Sequence, residues 1–154
     1  MRIEFKGLVA GFAVAAGLAM APTARAGLGE GLDSVARDHA ALRAHSTTVV
    51  PMQAYDMHEI TTANGGRVRE YVTRGGTVFA VTFSGRTMPD LRAVLGSHYR
   101  DYAAATSTRR TNHKVFAISA PGLVMEVVKL PRGITGSAHV PLLLPTGVSA
   151  RDLR

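Results

Sequence analysis

Cysteine is absent from the 154 residues. That excludes a disulfide framework, a thiolate metal site, a cysteine nucleophile and lipid attachment at a cysteine. Tryptophan is absent too, and aromatic residues make up only 6% of the chain. Beyond the first 26 residues, no apolar run approaches the roughly 20 residues of a membrane-spanning helix. Blocks of like charge are also missing. Lys and Arg are scattered, and only Arg109 and Arg110 are adjacent. No serine lies in a G-x-S-x-G elbow, and Ser84, Ser97 and Ser137 have no local His and Asp at triad spacing.

What is present begins with a leader. Arg2 and Lys6 form a short basic start, diluted by Glu4. An uninterrupted run of fifteen apolar or small residues spans Gly7 to Ala21, Pro22 breaks it, and Ala24-Arg25-Ala26 follows. A basic start, a short apolar run and an A-x-A site are the three parts of a secretory signal peptide. The expectation is a signal peptide over 1–26, cleavage after Ala26, and a periplasmic or secreted protein with no membrane span thereafter. Cleavage leaves fifteen Lys and Arg against ten Asp and Glu, a net charge of +5. Such a charge favours weak attraction to acidic surfaces. The scatter of the basic residues reads as a basic globular domain with no nucleic-acid partner. Length and a 46% hydrophobic content fit one domain over 27–148, with 149–154 as a polar tail.

Within that domain the pattern alternates between strands and helices. Gly27 to Gly31 reads as flexible, followed by a helix capped by Asp33 or Ser34 and running to about Ala44. Its expected apolar stripe is Leu32, Val35, Ala36, His39 and Leu42, with Asp38 off it. Ser46 to Thr62 is extended, with Pro51 at an edge or a strand start. Ala63-Asn64-Gly65-Gly66 is a turn. Arg67 to Thr73 is a strand with Val68, Glu70 and Val72 on one face and Arg67, Arg69 and Tyr71 on the other. After Arg74-Gly75-Gly76, Thr77 to Phe83 is apolar on both faces, the mark of a strand covered on both sides. Thr87-Met88-Pro89-Asp90 reads as a helix start with Thr87 as the cap. The main amphipathic helix, about 88–104, would bury Leu91, Val94, Leu95, His98, Tyr99 and Tyr102. Gly96 inside it marks close packing. Ala103 to Lys114 reads as a polar, basic loop. A short strand from Val115 precedes a hairpin, Leu123–Leu130 and Ile134–Val140, with Gly133 as a left-handed bulge residue. Pro141 and Pro145 bracket an extended Leu142-Leu143-Leu144. The class is α+β: an antiparallel β-sheet meander, one main packed helix and an N-terminal helix, after a signal peptide.

These residues resemble a known family. Val68-Arg69-Glu70-Tyr71-Val72, Val78-Phe79-Ala80-Val81, Pro89-Asp90-Leu91 with Leu95-Gly96 and Tyr99, and Leu143-Leu144-Pro145 with Gly147-Val148 look like the bacterial domain of unknown function 2844. The resemblance covers most of the chain after the leader. It implies a small exported protein and supplies no catalytic residue. Where the family carries a tryptophan after the apolar strand, this chain has Phe83, and where Gly-Pro often follows, it has Gly85-Arg86.

Three constellations carry possible chemistry. Asp56 and His58 project from one face of a strand, and a carboxylate beside an imidazole can bind a metal or move a proton. The zincin pattern that His58-Glu59 begins fails, because Thr62 stands where its second histidine belongs. A metal site would need a further ligand such as His98 or His139. The ordinary reading of Asp56 to Glu59 is a solvated strand face. His98, Tyr99 and Tyr102 share a helix face, a spacing more typical of core than of a ligand box. Arg109 and Arg110, with His113 and Lys114, are a possible anion contact in a loop. No aromatics are interleaved there, so a solvated loop is the simpler reading. The sequence therefore points to no cofactor and to a non-enzymatic exported module that binds a protein or small ligand in the cell envelope. A small hydrolytic enzyme using Asp56 and His58, or a peptidase-inhibitor-like or chaperone-like module, are the alternatives.

Overall fold

The structure, a computed structural model, describes residues 27–107 and 114–153. The leader and the Arg109–Arg110 pair lie outside the described residues. Seven strands form one antiparallel sheet: β1 (Ala44–Pro51), β2 (Tyr55–Thr62), β3 (Arg67–Thr73), β4 (Val78–Gly85), β5 (Val115–Ala120), β6 (Leu123–Leu130) and β7 (Gly133–His139). Their spatial order is β1-β2-β3-β4-β7-β6-β5. Two meanders, β1 to β4 and β5 to β7, are thus joined by the pairing of β4 with β7. Helices α1 (Leu32–Ala41), α2 (Leu91–Leu95) and α3 (Tyr99–Ser107) complete the α+β architecture. None of the described helices is long and apolar enough to cross a membrane.

Side chains alternate across a strand, so register decides which residues share a face. One row runs across all seven strands through Val49, His58, Glu70, Val81, Ala138, Met125 and Ile118. It lies on the face that the helices cover with Val35, Leu42, Leu91, Val94 and Leu95. The neighbouring row on the opposite face runs through Thr48, Glu59, Arg69, Thr82, Ser137, Glu126 and Ala117.

Strand β4 is apolar on both faces because both faces are covered. Val78, Val81 and Phe83 join the helix-side core. Phe79 and Ala80 pack with Tyr55, Tyr71 and Leu153 on the other side. Tyr71 stands opposite Ala80 but Val72 opposite Val78, so Phe79 is an extra residue in β4. That bulge puts two neighbours on one face. Each large side chain buried here contributes about 1.5–3 kcal/mol.

The second face is covered by the chain's own end. Leu143, Leu144 and Val148 pack beside Leu153, which is 5% exposed. The segment expected to be extended instead makes a 3-10 turn over Pro141–Leu143, leaving Leu142 87% exposed. The last residues are not a free tail. The Ser149 side chain accepts from the Arg151 amide, and Asp152 accepts from the Ser149 amide at 3.0 Å. This capped turn over Ala150–Asp152 aims Leu153 at the sheet.

Other segments also depart from expectation. Gly27 to Glu30 is pinned: the Leu28 amide donates to Val94 O, the Gly29 amide to Val78 O, and the Val78 amide to Glu30 O. Helix α1 starts after Gly31 with no side-chain cap. It buries Ser34, Val35 and Asp38, while Leu32 and Ala36 face solvent. The helix is thus turned so that Asp38, not Leu32 or Ala36, faces inward. The main helix is present over 91–107 but is capped by Asp90, whose Oδ1 accepts from the Arg92 amide at 2.9 Å, not by Thr87. It breaks at Gly96, whose φ of 53° no ordinary helical residue adopts, and a 3-10 turn over Gly96–His98 leads into α3. α3 carries helix into the start of the expected loop, as far as Ser107. Gly133 is not left-handed. Glycine is required there because a Cβ would stand 2.4 Å from Gly85 O.

Candidate functional site

The first sequence candidate is dispersed by its neighbours. Asp56 and His58 do share the helix-side face of β2, opposite Val72 and Glu70. The Asp56 carboxylate, however, receives Arg74 at 2.9 Å. His58 is half-buried, and burial lowers its proton affinity against the opposing pull of Asp56, with His39 adding to the lowering. His98 stands in the 3-10 turn beside Asp101, its Nδ1 3.4 Å from Oδ2, and close to Gly29 and Gly122. Among the described residues, no three His, Asp or Glu side chains converge as a metal site would require. Tyr99 and Tyr102 pack against each other and Phe116, with the Arg92 guanidinium 4.7 Å from the Tyr99 ring centre. That arrangement is packing.

Two features not anticipated from the sequence stand out. The first is a pair of buried acids. Asp38 on α1 and Glu70 on β3 are both fully buried, and each carboxyl lies near enough to influence the other's proton affinity. Burial raises the proton affinity of both; for Glu70 the contact with Asp38 raises it further. Neither carboxyl has a hydrogen-bond partner among the described residues, nor does the buried Ser34 Oγ. The sequence signal was the charged residue inside the buried row Val68, Glu70, Val72.

The second feature is a groove of about 600 Å³ on the open face of the sheet, where the C-terminal segment stops. Its floor is built from small and hydroxyl side chains at the joint of the two meanders: Thr82 and Ser84 on β4 stand opposite Ser137 and Thr135 on β7. Arg67 and Arg69 form one wall, held by Glu59 at 3.4 and 2.7 Å. Glu126 lies across the floor, and His139 and Arg151 stand at the end nearest Leu153. Burial lowers the proton affinity of His139, so its imidazole is neutral at neutral pH. The groove therefore offers guanidinium donors, hydroxyls, a neutral imidazole and one carboxylate. That set suits recognition by hydrogen bonding.

Comparison with known proteins follows the same division between structure and activity. The model of a family described as "Protein of unknown function (DUF2844)" matches residues 24–153. No curated protein and no solved structure gives a significant match.

Proposed function

This chain belongs to the DUF2844 family, and from that premise we propose an exported, non-enzymatic binding module whose ligand occupies the open-face groove. The observation that carries the reading is the groove itself: about 600 Å³, floored by Thr82, Ser84, Thr135 and Ser137 and walled by arginines. Pockets of several hundred Å³ with a few placed polar groups are the usual form of a ligand site. Phe79 and Ala80 of the apolar strand are covered by the chain's own C-terminal segment. The polar floor beside it is what remains open.

Export is supported by the leader pattern of Arg2 to Ala26. Gly27 and Leu28 are buried, and Leu28 bonds to α2. Cleavage after Ala26 would leave that packing whole. Protein recovered from the host envelope is expected to begin at Gly27 by N-terminal sequencing.

Binding is tested separately, with a photo-cross-linking residue placed at Ser137 in the groove and, as control, at Leu32 on the exposed side of α1. A discrete adduct is expected in the native envelope from position 137 and none from position 32. Arg151→Ala should weaken it about ten-fold, the effect of losing roughly 1.4 kcal/mol. Equal labelling at both positions, or none at 137, would refute the groove as the site.

A further inference from the structure

Asp38 and Glu70 are fully buried with all four carboxyl oxygens unpartnered among the described residues, and two carboxylates offer only acceptors to one another, so the pair needs a proton. Bulk water does not reach either carboxyl. The charged groups around the pair do not neutralise it. On α1, Arg37 favours the ionised form of Asp38 from an exposed position. Glu30, just before α1, and Asp90, the cap of α2, oppose ionisation. Across the β2–β3 pairing, His58 faces Glu70 and is held neutral by its own burial. Among the described residues no Lys or Arg forms an ion pair with either carboxyl.

The chain is tied to the sheet on either side of α1, at Glu30 and Arg43, but α1 itself turns few side chains inward. The buried residues of α1 are Ser34, Val35 and Asp38, and Leu42 follows at its C-cap. Between those ties, Val35, Leu42 and the buried acid are what α1 sets against the sheet. Beneath it lies the apolar row that contains Glu70 between Val68 and Val72.

We propose that Asp38 and Glu70 form a proton-binding latch, which keeps α1 docked on the sheet while it holds a proton and releases the helix when that proton is lost. The sign follows from the acids involved. Both bind protons more tightly in the folded chain than in the unfolded one. Docking is therefore strongest below the ordinary carboxylate range, near pH 4, and is lost as pH rises through the raised folded values. An exported protein meets such pH changes without a cytoplasmic buffer around it. Opening α1 would expose Val35, Leu42 and the strand face below.

The test follows the carboxyl carbons of the full-length protein by ¹³C NMR from pH 4 to 10, with amide exchange read at residues 34–42. The Glu70 carboxyl is expected to keep its protonated shift through neutrality. Protection of α1, corrected for intrinsic exchange, should fall about ten-fold or more between pH 6 and 9. Glu70→Gln keeps a donor toward Asp38 and has no proton to lose, so it should abolish most of that fall. The latch is wrong if Glu70 titrates as an ordinary carboxylate, or if α1 protection is the same at both pH values. Equal alkaline loss in Glu70→Gln would also overturn it. Should that variant fail to fold, the titration of the unaltered protein decides alone.

Discussion

Gly27 has room for a hydrogen where any other residue needs a carbon. A Cβ there would stand 2.4 Å from Ala93 O and 2.5 Å from the Gly96 amide nitrogen, on a backbone with φ of 118°. The neighbours are main chain and cannot step aside. Gly75 makes a useful contrast, since a Cβ there would meet only the Thr73 hydroxyl at 3.7 Å. Gly27→Ala is expected to cost at least about 1–3 kcal/mol, the range for forced overpacking. Gly75→Ala should stay within about 0.5 kcal/mol of the parent. Urea denaturation of both variants checks this. A Gly27→Ala protein as stable as the parent would mean that the first turn of the packed body is not wedged between α2 and β4.

At the scale of elements, the C-terminal segment is the least expected contributor. Leu153 closes the aromatic cluster of Tyr55, Tyr71 and Phe79, whose rings meet edge-on or tilted at 5.5 to 6.2 Å between centres. Leu153→Ala leaves a cavity beside those rings and should cost about 2–4 kcal/mol, with a change in the near-ultraviolet tyrosine signal. An unchanged melting temperature would show the segment to be a passive cover. The sequence disclosed the strands well, because alternation and paired glycines act locally: Val68, Glu70 and Val72 do share a face, and β4 is covered on both sides. It did not disclose Leu153, since one leucine among Ser149 to Arg154 has no period to betray it. Helix α1 was misread for a related reason. Leu32 and Ala36 made a rival apolar stripe, but the face that turns inward carries Ser34, Val35 and Asp38, with Leu42 after it. The groove was illegible because its floor is created by the pairing of β4 with β7, residues some fifty positions apart, as in the Thr135 hydroxyl that donates to Phe83 O.

That pairing also determines whether the molecule behaves as one unit or two. The meander β1–β4 and the meander β5–β7 pair along Ala80–Gly85 and Ile134–His139. Yet one helix-side core runs through both, from Ile60 and Val68 to Met125 and Ile118. A shared core makes unfolding of one half expensive for the other, so a single cooperative transition is expected. The seam has a sensitive point. Phe83 folds its ring across Gly136, and a Cβ at that glycine would stand 2.3 Å from Phe83 Cζ. Gly136→Val should displace the ring and cost about 1–3 kcal/mol. Tyrosine fluorescence reports on β2, β3 and α3, where the four tyrosines lie, whereas circular dichroism reports on the whole sheet. If the core joins the halves, both signals shift together to lower denaturant in the variant. If tyrosine fluorescence holds while the sheet signal drops early, β5–β7 unfolds by itself, and the groove lies on a hinge between two parts of the sheet.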